Sequence, residues 1–220
     1  MSQGIVSVVI SEELLLKIDS LARKKRQSRS KTINEILGEY FELMTPEAKI
    51  DRVMDEIALV LGGNHFLQTL SKTKGSSIQC RGDIQYKYNP KIRYMLQLDG
   101  KSEHKLATLH VVPRTRQEEF TRHLAIFFSL LQAVEAARPP DPELRALKAG
   151  AFVFDGKKFT RDFYTPWQED HLTVEKIADF LGSYMLMIHE AMNRYFNSIQ
   201  ETRAVRYASV ASVFSDFFRR

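Results

Sequence analysis

Positively charged side chains are concentrated in one short stretch near the start of the chain. Residues 23–31 read RKKRQSRSK, which places six basic side chains in nine positions with no acidic residue among them. The stretch leads into a segment with helical apolar spacing, and the free N–H groups and dipole at a helix N-terminus attract anions. These features predict a site for phosphate groups. A solvated loop between two helices is the alternative interpretation.

No catalytic or metal-binding pattern is visible elsewhere. The residues His104, His110, His123 and His189 lack the H-E-x-x-H spacing of a zinc enzyme. The chain has neither a glycine-rich phosphate loop nor a G-x-S-x-G motif. Cys80 stands beside Arg81, which can activate a thiol, but a single cysteine in this setting is expected to be inert. The sequence therefore predicts a protein that is not an enzyme and that uses no metal or other cofactor.

Composition limits the class of protein. The chain has 220 residues, 44% hydrophobic and 27% charged, which is typical of soluble globular domains and excludes wholesale disorder. One cysteine excludes an intrachain disulfide and fits a reducing compartment. The N-terminus lacks the features of a signal peptide, and apolar clusters such as residues 124–131 are too short to span a membrane. A cytoplasmic, nucleoid-associated protein with no membrane partner is expected.

The elements that would position the basic stretch are short and regular. Residues 5–10 (IVSVVI) are β-branched and alternate, which predicts a strand. Ser11 is a candidate N-cap, followed by two acids and by helical apolar spacing through Ala22. After the basic stretch, Ser30 is a candidate N-cap for a second helix whose apolar positions extend to Met44. This compact unit is expected to comprise residues 1–45.

Residues 46–220 are expected to form an α+β domain, mostly helical, with a small antiparallel β-meander. The predicted elements are a helix from Pro46 to Gly62, a short helix and a loop within 64–76, strands at 84–88, 92–98 and 106–112, a helix at 117–138, a short helix at 141–149, a hairpin of 151–154 with 158–163, a helix at 173–200 with a break near Gly182, and a helix at 204–218. No internal repeat is visible.

Residues 6–41 resemble the ribbon-helix-helix family of DNA-binding proteins (the Arc, MetJ and CopG type). The segment reads VSVVISEELLLKIDSLARKKRQSRSKTINEILGEYF. It contains an alternating strand, a serine followed by two acids, a Leu/Ile-rich first helix, and Ser-Arg-Ser before the second helix, in the order and spacing of the family. The resemblance covers about one fifth of the chain.

The resemblance implies a homodimer in which two strands pair antiparallel and enter the DNA major groove. Physical reasoning agrees, since a lone strand needs a partner and 45 residues bury little core by themselves. The ribbon face toward DNA would consist of Ile5, Ser7 and Val9. The phosphate contacts would come from Lys24, Lys25, Arg26, Ser28, Arg29, Ser30 and Lys31.

The chain departs from the family pattern at two points. The family usually places basic or amide side chains on the base-facing strand positions, but here only Ser7 can hydrogen-bond a base edge. Ile5 and Val9 can contact thymine methyl groups, or they can be buried against a partner. The glycine that often precedes the second helix is also missing, and Arg26 stands near that position.

The expected function is that of a homodimeric protein that binds double-stranded DNA, as a transcriptional repressor or as a plasmid or mobile-element accessory factor. Residues 46–220 would serve assembly, partner contact or effector binding. The alternative is a protein-interaction or assembly factor that uses residues 1–45 only to dimerise.

Two further sets of residues have two interpretations each. Tyr86, Lys87, Tyr88, Lys91, Arg93 and Tyr94 either grip a single nucleic-acid strand or pack within a sheet, and the aromatic helices either fill a core or line a ligand pocket.

Overall fold

The computed structural model describes residues 7–40, 46–73, 76–99, 105–115, 117–137, 152–164 and 173–217. Within these residues the protein is an α+β structure with six helices and six strands, and the predicted class is confirmed. The chain separates into two compact units, residues 1–49 and residues 50–220. The division falls inside a helix, four residues beyond the boundary expected from sequence.

The first unit contains the two predicted helices. α1 spans Glu12–Lys25 and α2 spans Arg29–Tyr40. α1 has two acids in its first turn and three cations in its last turn, and both sets interact favourably with the helix dipole. It ends at Arg26, whose φ of 54° lies in the left-handed region. Left-handed residues commonly terminate helices, although glycine usually occupies the position.

The predicted strand at residues 5–10 is not shown by the structure. Ile5 lies outside the described residues, and residues 7–10 form neither helix nor strand. A short strand requires a hydrogen-bonded neighbour, and the described part of this chain supplies none to residues 7–10. A ribbon would therefore need a second copy of the chain.

The prediction that Ser30 caps the second helix is wrong, because Ser28 has that role. The Ser28 hydroxyl accepts the amide N–H of Lys31 at 3.2 Å, and its carbonyl accepts the amide of Thr32 at 3.0 Å. α2 thus starts two residues earlier than expected. Both serines satisfy the composition rule for N-caps, so only the backbone geometry distinguishes them.

The second unit contains the rest of α3, a six-stranded sheet and three further helices. The element bounds are α3 Pro46–Gly62, β1 Gln68–Thr73, β2 Ser77–Asp83, β3 Lys91–Leu98, β4 Lys105–Pro113, α4 Glu118–Ala136, β5 Phe152–Phe154, β6 Phe159–Tyr164, α5 Val174–Asn197 and α6 Arg203–Phe217. The expected short helix at 141–149 lies outside the described residues.

The sheet is antiparallel throughout and larger than the predicted meander. Its strand order is β1-β2-β3-β4-β6-β5, so the β5–β6 hairpin joins the sheet through β6 alongside β4. One face is apolar and forms a continuous core with the buried sides of α3, α4, α5 and α6. The strand residues that alternate with this buried set are exposed or half-buried.

Two predictions in the strand region are wrong. Residues 68–73 form strand β1 rather than a short helix followed by a loop. The strand expected at 84–88 lies earlier, at β2, and residues 84–90 make a turn in which Tyr88 and Asn89 have positive φ. The β2 sequence SIQCRGD buries only Ile78, Cys80 and Gly82, so its apolar alternation is too weak to recognise.

The longest helix, α5, is continuous, and the predicted break at Gly182 is wrong. Gly182 allows close approach to α3, since a Cβ there would lie 2.8 Å from Val60 Cγ1. Thr173 caps the helix as its side chain accepts the amide of Lys176 at 3.3 Å. The glycine therefore marks helix packing and not a turn.

Candidate functional site

The connection between α1 and α2 carries most of the predicted phosphate contacts. Arg26, Gln27 and Ser28 form the connection, and the first amides of α2 follow it. The N–H groups of Arg29 and Ser30 belong to the first helical turn, which offers them no intrahelical acceptor. Their position and the helix dipole favour an anion at this end of α2.

Two cations of the basic stretch are paired with acids from outside it. Arg29 makes a two-pronged contact with Asp19 on α1, with Nε–Oδ1 and Nη2–Oδ2 distances of 2.7 Å. Lys25 reaches Glu35 on α2 at 3.0 Å. Hydrogen bonding and attraction from Arg29 hold the pKa of Asp19 below its usual value. The absence of acids within residues 23–31 therefore does not make all six charges available, and Lys25 and Arg29 join α1 to α2.

All six cations of the stretch are exposed, and four of them are not paired with an acidic side chain of the described residues. Arg23 donates through Nε to the backbone carbonyl of Asp19 at 3.4 Å. Lys24, Arg26 and Lys31 form no ion pair within the part of the chain that the structure describes. Lys31 still lies close enough to Glu35 to lower the pKa of that carboxyl slightly, after the larger effects of Gln27 and Lys25. These three residues are the better candidates for phosphate contact.

A surface depression of about 490 Å³ lies where α1 ends and α2 begins. It is lined by Asp19, Ala22, Arg23, Arg26, Gln27 and Arg29. Three of the six lining residues are arginines, and one acid opposes them. The depression can therefore accept an anion of phosphate size beside the amides of the first turn of α2.

The structure places only part of the predicted base-facing set. Ile5 is outside the described residues, whereas Ser7 and Val9 are exposed. Val8, between them, is also 70% exposed. None of these side chains is covered by the described part of the chain.

The first unit has very little core of its own. Among its described apolar residues only Ile18 and Ala22 are buried. Apolar side chains on both helices stay exposed, with Leu14 at 52%, Leu37 at 47% and Tyr40 at 79%. A helix pair that leaves its apolar positions in water is not stable by itself.

The chemistry-bearing residues of the second unit are dispersed. His189 and Cys80 are buried in the core, His110 and His123 are half-buried, and His104 lies outside the described residues. Burial raises the pKa of the Cys80 thiol, which disfavours the reactive thiolate. No group of three His, Cys, Asp or Glu side chains within the described residues could hold a metal ion.

Sequence reasoning missed a buried polar network between α4, β6 and α5. The Arg161 guanidinium donates to Glu135 Oε1 at 2.6 Å, and the Tyr184 hydroxyl donates to Glu135 Oε2 at 2.7 Å. Arg161 also lies over the rings of Phe152 and Phe163, at 4.9 Å and 4.7 Å. Burial raises the pKa of Glu135 even though Arg161 acts in the opposite direction. Nothing in the sequence marks Glu135 as buried, because the network forms only when distant segments pack.

The aromatic residues mostly serve the core. Tyr94 is fully buried, and the ring of Tyr86 packs against Phe120 and Phe196 at 5.9 Å and 5.0 Å. Of the predicted basic-aromatic group, only Tyr88 presents an exposed ring. The packing interpretation therefore fits this group better than a grip on a single strand.

Comparison of the chain with protein-family models, curated proteins and solved structures finds no match. Among the described residues, no helix combines the length and apolar character that crossing a membrane requires.

Proposed function

We propose that this protein is a homodimer that binds double-stranded DNA through its N-terminal unit, in the manner of the ribbon-helix-helix family. Two copies of residues 5–10 would pair as a ribbon in the major groove, and the start of α2 would hold backbone phosphates. A role as a transcriptional repressor, or as a plasmid or mobile-element accessory factor, follows from this mode of binding. Residues 50–220 would supply assembly or partner contacts.

The observation that carries the proposal is the composition of the first unit's surface. Its helices leave Leu14, Leu37 and Tyr40 exposed, and among their described apolar residues they bury only Ile18 and Ala22. A second copy would cover these side chains and would also provide the neighbour that residues 7–10 lack. The same unit presents exposed cations at a helix N-terminus, where phosphate binding is favoured.

Arg26 provides a further point of support. Its φ of 54° lies in the left-handed region, where glycine is favoured over residues with a side chain. A chain that keeps arginine there retains a cation at the edge of the depression. Contact with a phosphate is a physical reason for that choice.

The proposal is tested with a triple variant, Lys24→Gln, Arg26→Gly and Lys31→Gln. These side chains are exposed and take no part in the Asp19 and Glu35 ion pairs, so the helix pair should remain folded. Binding to a 30-base-pair fluorescent duplex is measured over a range of salt concentrations. Each lost phosphate contact lowers the salt slope by about 0.9, so six contacts in a dimer would lower it by up to about 5.

The matched control removes three exposed cations from the second unit, Arg122→Gln, Lys157→Gln and Arg203→Gln. The control should bind like the unmodified protein. If the triple variant and the control share the same affinity and slope, the N-terminal phosphate contacts do not exist.

Dimerisation is tested separately with Leu37→Asp, which places a charge on the exposed apolar surface of α2. The unmodified protein should sediment as a dimer, and the variant should sediment as a monomer with weaker DNA binding. A monomeric unmodified protein would contradict the proposed assembly.

The assembly-factor alternative is favoured by one observation, the full exposure of the apolar Val9 at the position expected to face bases. Val9 cannot hydrogen-bond a base edge. A dimer that shows no salt-dependent affinity for duplex DNA would support this alternative.

A further inference from the structure

The second face of the six-stranded sheet carries a group of cations. Strand register defines the rows of side chains on this face, since it consists of the residues that alternate with the buried ones. Arg81 on β2 is directly opposite Arg93 on β3. The next row contains Lys91, opposite Asp83. Arg114 follows β4 directly, and its amide donates to the carbonyl of Lys91 at 2.7 Å. We call Arg81, Lys91, Arg93 and Arg114 the basic sheet surface.

The basic sheet surface is not neutralised by its surroundings. Arg81 donates to the neutral Gln68 side chain at 2.6 Å, which orients the guanidinium without cancelling its charge. Arg93 forms no ion pair or side-chain hydrogen bond with any described residue. Asp83 is the single acid in these two rows of β2 and β3. Two arginines directly opposite each other on paired strands repel, so the arrangement lowers stability unless an anion lies between them.

The charge distribution of the whole chain agrees with a second basic region. Residues 50–220 hold 24 of the 32 basic and 20 of the 27 acidic residues, which accounts for +4 of the net charge of +5. Most of the basic excess therefore belongs to the larger unit. The stretch at residues 23–31 is balanced by other acids within the first unit.

The chemistry of the surface favours backbone phosphates over bases. Guanidinium groups bind phosphate oxygens in a two-pronged geometry. Binding of single strands generally needs aromatic rings on which bases stack. On this face the neighbours of Arg93 along β3 are Lys91 and Met95, while the aromatic Tyr94 points into the core. A duplex, which presents phosphates and keeps its bases stacked, fits the surface better than a single strand.

We propose that the basic sheet surface is a second DNA-contact surface that binds the phosphate backbone of duplex DNA. This inference rests on the proposed function, because it assumes that DNA is the ligand of the N-terminal unit. The N-terminal unit would contact the bases and nearby phosphates, and the sheet surface would add contacts that do not depend on sequence.

The test is a double variant, Arg81→Gln and Arg93→Gln, in the full chain. Glutamine retains a polar, hydrogen-bonding side chain, although a shorter one, and removes the charge. The control, Arg122→Gln and Arg203→Gln, removes the same charge from exposed positions on α4 and α6, the helices that pack on the opposite face of the sheet. Each variant is titrated with a 30-base-pair duplex and with one of its single strands across a salt series. Circular dichroism and thermal melting confirm that each variant is folded.

We expect the double variant to lower the salt slope for the duplex by about 0.9 per lost contact, which corresponds to roughly eightfold in affinity per contact at 0.1 M salt. The control should leave slope and affinity unchanged. A double variant that binds the duplex like the control overturns the inference. A loss confined to the single strand overturns it as well, because duplex backbone is then not the ligand.

The triple variant of the N-terminal unit distinguishes the two proposals. If it loses affinity while the sheet variant does not, the proposed function stands and the basic sheet surface has no role in binding. If only the sheet variant loses affinity, the N-terminal proposal fails and the sheet surface is the contact. If the double variant does not fold, the variant Lys91→Gln with Arg114→Gln is used in its place, because it removes two exposed cations of the same surface. The same changes in duplex affinity and salt slope then support or overturn the inference.

Discussion

His189 should make the stability of the larger unit depend on pH. It lies on α5 with 2% of its surface exposed, and burial lowers its pKa from 6.5 to about 4. Its hydrogen bonds explain why the neutral ring is preferred. Asn193 Oδ1 accepts the amide of Gln85 at 2.8 Å, so the Asn193 NH₂ group faces His189 Nε2 at 3.2 Å. Nε2 is then an acceptor, and Nδ1–H donates to the Tyr94 hydroxyl at 2.9 Å.

The sign and size of the effect follow from these pKa values. The unfolded chain binds a proton at His189 below pH 6.5, whereas the folded chain resists doing so until about pH 4. The contribution of the neutral His189 ring to the free energy of unfolding is therefore fully present above pH 6.5, and it is lost as the pH falls from 6.5 toward 4. A lowering of 2.5 pH units corresponds to about 3 kcal/mol, of which about 2.5 kcal/mol is lost by pH 4.5.

The assay is urea unfolding, followed by circular dichroism at pH 7 and pH 4.5, for the unmodified protein and for His189→Gln. The variant is less stable at pH 7 because the contact with Tyr94 is weakened. Between pH 7 and pH 4.5, however, its free energy of unfolding should fall by about 2.5 kcal/mol less than that of the unmodified protein. His65→Gln, at an exposed histidine, serves as the control and should behave like the unmodified protein. Equal acid losses in the unmodified protein and in His189→Gln would refute the reasoning, since other groups would then carry the pH dependence.

Two further changes test the core. Arg161→Met leaves the Glu135 carboxylate buried without its cation and should lower the free energy of unfolding by about 3–5 kcal/mol, measured by urea unfolding at pH 7. Adding Glu135→Gln should recover part of that loss, and no recovery would show that packing around Arg161 matters more than the charge. Gly82→Ala would place a Cβ against the buried His189 ring and 2.8 Å from Leu67 Cδ2, and should lower the free energy of unfolding by about 1–3 kcal/mol. Gly62→Ala is the control, because its Cβ meets nothing within 4 Å, and equal melting temperatures for the two variants would contradict the close contact.

Helices were the most predictable part of the fold. The apolar spacing of α1, α3, α4 and α6 is long enough to recognise, and acids, cations, Thr173 and Pro46 mark several of the helix ends. Strands were less predictable, because β1 has mostly polar residues at a sheet edge and β2 buries a cysteine and a glycine on its inner side. Strand pairing, which joins residues far apart in sequence, determines these elements more than local preference does.

The candidate site shows the same division. The sequence was sufficient to locate the basic stretch before α2, since a run of like charges and a helix start are both local features. The structure was needed to show that Asp19 and Glu35 neutralise Arg29 and Lys25, because these acids come from the neighbouring helical turns. That geometry leaves Lys24, Arg26 and Lys31 among the cations with no ion pair within the described residues.

The sequence by itself therefore determined the α+β class, most helices and the position of the N-terminal basic stretch. Tertiary structure decided which charges of the basic stretch are paired with acids, that Gly182 permits helix packing, and that Arg81 and Arg93 lie opposite each other on one sheet face. The physical reason is that periodicity and capping act within a few residues, whereas strand register and burial depend on segments that meet only after the chain has folded.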